Sequence, residues 1–138
     1  MDLPGALYLG TPAAEIANVG DSRFINEGID RVLISWEGIC ATALPMYAGD
    51  YDHKHPYVSP IYGEFADFPP TYLVSGTRDL LLSDTVRVHR KLRAAGVDAD
   101  LHVYEGLSHG EYLFDIESEE SVEHYAELST FLLRHLQG

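Results

Sequence analysis

The chain of 138 residues carries 22 acidic against 9 basic side chains, and its formal charge of −13 argues against nucleic acid and anionic membrane surfaces as partners. Its 46% apolar and 11% aromatic content is that of one globular domain and excludes intrinsic disorder. The single cysteine, Cys40, excludes an internal disulfide, no apolar run approaches the ~20 residues of a membrane span, and "MDLPGALYLG" lacks a basic signal-peptide start; a cytoplasmic location is the default expectation.

"PGALYLGTP", Pro4 to Pro12, is a short apolar run between Gly and Pro, as in a buried strand. A less regular stretch follows from Ala13 to Pro70. Within it Ile29, Val32, Leu33, Trp36 and Cys40 recur at helical spacing and predict one helix over Gly28 to Leu44, against which Gly38 counts. "LPMYAGDYDHKHPYVSPIYGEFADFPP" reads as ordered loop. "PTYLVSG" is a strand whose apolar run is too continuous for one wet face. Ser83 is then suited to cap a helix, with Asp84 at the positive end of its dipole. Thr85, Val88, Leu92 and Ala95 form the inner stripe of that helix, Arg87, Arg90, Lys91 and Arg93 stay solvated, and Gly96 supplies the stop. "VDADLHVYEG" is a further strand, with Ala99, Leu101 and Val103 on one face and His102 and Tyr104 on the other. A last helix runs from about Glu119 to Leu136, buried through Val122, Tyr125, Ala126, Ser129, Leu132, Leu133 and Leu136. The order is that of an α/β domain with parallel strands, divided into an insertion over residues 13–68 and a strand–helix–strand–helix segment over 69–138.

In an open parallel sheet, functional groups gather beyond the carboxyl ends of the strands. Asp79 lies just past the strand that ends near Ser75, and His109, in "EGLSHGEY", just past the strand that ends near Tyr104. Adjacent strands are roughly 4.8 Å apart, so the two side chains can meet at one sheet edge. A buried carboxylate bonded to one imidazole nitrogen fixes the tautomer and leaves the other nitrogen as a base. The bland alternative is an Asx turn at Asp79 and a surface histidine at position 109.

From "YVSPIYGEF" through "YEGLSHGEYL" the chain resembles the C-terminal part of hormone-sensitive-lipase-like α/β hydrolases, the bacterial carboxylesterase and lactone hydrolase group. The resemblance is carried by "GTRD" followed by "LLSD", by "LRAAGV" and by "YEGLSH". It implies a partial α/β-hydrolase fold of about three parallel strands, the sixth to eighth of the family sheet, with flanking helices and a cap-derived insertion. It also implies Asp79 as triad acid and His109 as triad base of a serine carboxylesterase acting on a small hydrophobic ester or lactone without a cofactor. Phe24, Trp36, Tyr47 and Phe65 are candidates to line the acyl pocket and equally plausible core aromatics.

The family's G-D-S-A-G-G elbow and its H-G-G-type oxyanion loop do not occur. "GDSRF", Gly20 to Phe24, comes nearest, but no strand leads into it, and Arg23 and Phe24 replace the small residues an elbow needs. Ser75, Ser83 and Ser108 have no elbow either. Cys40 falls on the inner stripe of the predicted helix and suits core packing. Asp50, Asp52, His53 and His55 are potential metal ligands, but neighbouring loop residues rarely converge on one ion, and no metal site is expected. The isolated chain is therefore expected to show little or no esterase activity. An unpaired apolar edge at Leu3 to Leu9 suggests pairing, as a homodimer or with an upstream half of the enzyme. The competing expectation is a non-catalytic, self-associating α/β interaction module.

Overall fold

The computed structural model describes residues 3–136. Three strands, β1 (Leu7–Gly10), β2 (Thr71–Gly76) and β3 (Ala99–Tyr104), form a parallel sheet in chain order, with Leu7 beside Thr71 and Thr71 beside Ala99. Every residue of β2 is buried, which is why its apolar run does not alternate. Helix α3 (Leu82–Ala94) joins β2 to β3, and α4 (Glu119–Leu136) follows β3.

One face of the sheet packs Leu73 and Ala99 on Val88 and Leu92 of α3, with Ile61 and Phe65 from the insertion. The other face packs Tyr72, Val74 and Tyr104 on Tyr112 and on Phe131 of α4. Helix layers thus cover both faces, as the strand–helix alternation predicts.

Several expectations need correction. The helix expected over Gly28 to Leu44 does not form over residues 28–38, which are turns; only its end lies in a helix, α2 (Ile39–Ala48), and a short α1 (Asp21–Ile25) precedes the turns. The cause is Asp30: its Oδ1 accepts the amides of Val32 and Leu33 at 2.9 and 3.1 Å, an alternative to helical bonding. Ser83 does not cap α3. The N-cap is Leu81, two residues earlier, where Asp79 takes the Leu81 amide at 2.8 Å, and Ser83 bonds Ser22 instead. Ala95 is exposed, and Arg87 is half-buried and paired with Glu15. In α4 the buried stripe is Ser121, His124 and Phe131, with Leu128 and Leu132 packed beside it. Val122, Tyr125, Ala126, Ser129, Leu133 and Leu136 face outward. That helix is apolar on two sides, so spacing alone permits two phases. The phase adopted is the one in which the Ser121 hydroxyl donates to the Tyr112 carbonyl and His124 packs, tilted, among tyrosines.

The insertion is fastened by polar groups as well. Arg23 and Asp84, both fully buried as side chains, pair at 2.7 Å, and Asp84 also accepts the amides of Ala14 and Glu15. Burial pushes the Asp84 carboxyl up and the Arg23 guanidinium down from their ordinary values, and their contact opposes both shifts. The Arg23 guanidinium also lies 4.0 Å from the ring centre of Trp36. No described helix is long and apolar enough to cross a membrane.

Candidate active site

The loops that follow β2 and β3 dock on each other backbone to backbone. The Thr77 amide donates to the Tyr104 carbonyl at 3.0 Å, Arg78 to Leu107 at 3.0 Å, and Gly106 to the Thr77 hydroxyl at 2.8 Å. Gly76 makes this approach possible, because a Cβ there would overlap the Leu107 carbonyl. The docking brings Asp79 and His109 into contact, with His109 Nδ1 3.2 Å from Asp79 Oδ1.

Asp79 is fully buried and closely held. The Ser75 hydroxyl donates to its Oδ2 at 2.7 Å, and the Leu81 amide to its Oδ1. A carboxylate fixed by these donors, with a quarter-exposed imidazole against it, can hold the histidine in the tautomer with the proton on Nδ1. Nε2 then carries the free lone pair, and its nearest polar partner is the Thr11 hydroxyl at 3.4 Å.

A segment of the insertion braces both loops. The Asn26 side-chain amide donates to the carbonyls of Thr77 and Asp79, and Asp30 Oδ2 accepts the Leu80 amide at 2.9 Å. Arg31 ties the histidine loop through its amide to Ser108 Oγ at 3.0 Å and its guanidinium to Glu111 at 2.5 Å. Sequence reading missed Thr11, Asn26, Asp30 and Arg31. Their partners lie about 50 or more residues away in the chain, so no local spacing announces them.

Ser22 is buried, donates to the Leu80 carbonyl at 2.7 Å and accepts the Ser83 amide, so its hydroxyl is committed to joining α1 to α3. Gly106 to Gly110 fits the spacing G-x-S-x-G, but Ser108 is fully buried and bonded to Arg31 and Glu111 within a turn. Cys40 is buried, and burial raises its thiol pKa, which disfavours the thiolate.

The four aromatics considered for a pocket are not gathered together. Trp36 lies with Cys40 and Leu81, Phe65 lies in the cluster under α3, and Phe24 and Tyr47 are exposed. In the acidic loop, Asp52 accepts the Lys54 amide and His55 accepts the Tyr57 amide. Among the described residues, no three His, Cys, Asp or Glu side chains converge as a ligand set.

A family profile described as the alpha/beta hydrolase fold matches residues 4–113. An esterase of Acinetobacter venetianus is 26% identical over 129 residues, which are 94% of this chain and 42% of that protein. Human hormone-sensitive lipase is 34% identical over 73 residues, 51% of this chain and 7% of the lipase. Among solved structures, an esterase named E25 superposes with a TM-score of 0.94 at 55% identity, covering 97% of this chain and 41% of that one. A hormone-sensitive lipase from a metagenome library reaches 0.88 at 20% identity over 96% of this chain and 45% of its own, a likeness that bears on fold alone. The chain therefore spans well under half the length of these relatives. A small parallel sheet with helices on both faces, matched in this way by profile, sequence and structure, belongs to the α/β-hydrolase fold family and, within it, to the hormone-sensitive-lipase-like group.

Proposed function

We propose that this chain carries the acid and the general base of a serine carboxylesterase that cleaves a small hydrophobic acyl ester or lactone. The observation behind this reading is the buried Asp79 carboxylate 3.2 Å from His109 Nδ1, at the carboxyl ends of adjacent parallel strands. Asp79 orients the ring and stabilises the imidazolium. His109 Nε2 takes the proton of an attacking hydroxyl and returns it to the leaving alkoxide.

The attacking hydroxyl and the oxyanion donors come from outside these residues, since neither an elbow nor an H-G-G-type loop occurs among them. Acid–base assistance alone supplies roughly 10² to 10⁴ in rate, so the chain by itself turns over little or no ester. The strand at the open edge of the sheet is Leu7–Gly10 rather than Leu3 to Leu9; among the described residues its outer side has no strand partner, and it suits docking of a segment that carries the elbow. That same edge favours the second reading, a self-associating module without catalysis, through pairing of two copies.

Ester turnover separates the readings. The chain alone should be silent to a fluorophosphonate probe and to p-nitrophenyl esters. Addition of an upstream segment with the elbow should restore hydrolysis, and His109→Ala in this chain should abolish it. Sedimentation of the chain as a compact monomer would remove the self-associating module. Probe labelling of the chain alone would refute the claim that no activated serine lies within it.

A further inference from the structure

The residue that follows β1 breaks two backbone rules at once. Thr11 is β-branched and precedes Pro12, yet its φ is +46°, in the left-handed region that L side chains and pre-proline residues both avoid. Its amide is fixed to the Val74 carbonyl at 2.8 Å, and the residue is buried. The turn presents its hydroxyl to the imidazole, with Oγ1 3.4 Å from His109 Nε2. A conformation this disfavoured persists only where its surroundings enforce it, and such residues cluster at functional sites.

We propose that Thr11 is a positioning residue for His109. With the Nδ1 proton given to Asp79, the Thr11 hydroxyl donates to Nε2. Nε2 has one lone pair, so an attacking hydroxyl displaces Thr11 from it, and the Thr11 contact sets the ring plane in the resting state, before that hydroxyl arrives. Asp79 alone holds the ring at one atom and leaves it free to rock about Cβ–Cγ; a second hold at Nε2 fixes its plane. This inference rests on reading Asp79 and His109 as the acid–base pair.

The line Thr11–His109–Asp79 has the order of a nucleophilic triad, but Thr11 is not the nucleophile. The oxyanion site of such hydrolases uses the amide of the residue after the nucleophile, and Pro12 has no N–H. The 3.4 Å separation is long for a hydrogen bond to nitrogen, as contacts at unliganded catalytic sites often are.

The test is ¹⁵N NMR of the His109 ring in the full chain. Val is nearly isosteric with Thr, so Thr11→Val keeps the shape and the backbone strain and removes only the hydroxyl. The Nε2 resonance should match between wild type and Thr11→Ser, and should move to the position of an unbonded imidazole nitrogen in Thr11→Val. Carbethoxylation of His109, followed by peptide mapping, should run about fivefold faster in Thr11→Val, the rate equivalent of one ordinary hydrogen bond. If Thr11→Val fails to fold, Thr11→Gly removes the hydroxyl without a penalty at positive φ. An unchanged Nε2 resonance in a folded variant without the hydroxyl overturns the proposal. The same spectra report Nδ1. A wild-type Nδ1 without its proton would instead sink the acid–base reading beneath the proposal, and so the two failures are distinguishable.

Discussion

The strands and helices from Thr71 onward bury apolar faces in two clusters, whereas the insertion between Ala13 and Phe68 adds to its apolar contacts through Ile61, Phe65 and Trp36 a set of buried charges and hydrogen bonds. The polar ties converge on one short stretch of the regular half. Arg23 reaches Asp84, Glu15 reaches Arg87, Ser22 reaches Leu80 and Ser83, and Asn26 and Asp30 reach the backbone of Thr77, Asp79 and Leu80. That stretch contains the acid. Packing therefore builds the sheet, while directional bonds from the irregular region set where Asp79 stands on it.

This division can be broken deliberately. The largest effect is expected at Arg23. Arg23→Ala leaves the Asp84 carboxylate buried without its counter-charge and should cost about 4 kcal/mol in chemical denaturation, as much as a large core truncation. A loss below about 1 kcal/mol, the worth of an exposed pair, would mean that the insertion is held by its small apolar clusters after all. Next is Gly76→Ala, which forces the two site loops apart and should cost about 3 kcal/mol. Its sharper signature is loss of the Asp79–His109 contact while the far-UV circular dichroism of the remaining helices persists.

A smaller, pH-dependent effect is expected at His124. The ring is fully buried among Tyr8, Tyr72 and Tyr112, its Nδ1 has no partner, and burial lowers its pKa from the ordinary value. Below about pH 6.5 the unfolded chain binds a proton at this residue that the folded chain refuses, so stability falls as pH falls. Thermal melts between pH 7 and pH 5 should show this slope, and His124→Phe should flatten it.

The smallest effect contrasts two strained residues. Ile34 shares the positive φ of Thr11, at +62°, but its side chain is exposed, and its backbone bonds Gly28 and Asp30 rather than Asp79 or His109. Ile34→Asn should therefore stabilise the chain by about 1 kcal/mol without altering any His109 signal. Strain at Thr11 is kept for a contact, and strain at Ile34 is not.

The regular half was legible because one force dominates it. The run "TYLVSG", the stripe through Val88 and Leu92 and the stop at Gly96 each follow from burial or from one residue's φ, and Asp79 and His109 follow from where strands end. The insertion was not legible, because Asp30 exchanges helical bonds for a cap and Arg23 folds inward to a partner 61 residues away. In α4 the apolar residues permit two phases, and the polar contacts of Ser121 and His124 select between them. Thr11 carried a signal in hindsight, as a β-branched residue between a strand end and a proline, but its conformation is only visible once the chain is folded.

The central claim is that His109, oriented by Asp79, activates a serine this chain does not contain. Its most direct test is the rate at which a fluorophosphonate labels the elbow serine of an added upstream segment, measured with wild-type chain, with His109→Ala and with Asp79→Ala. The account predicts fast labelling with wild type, a loss of about 10³-fold or more with His109→Ala, and a smaller loss with Asp79→Ala. Equal labelling with all three chains would contradict it.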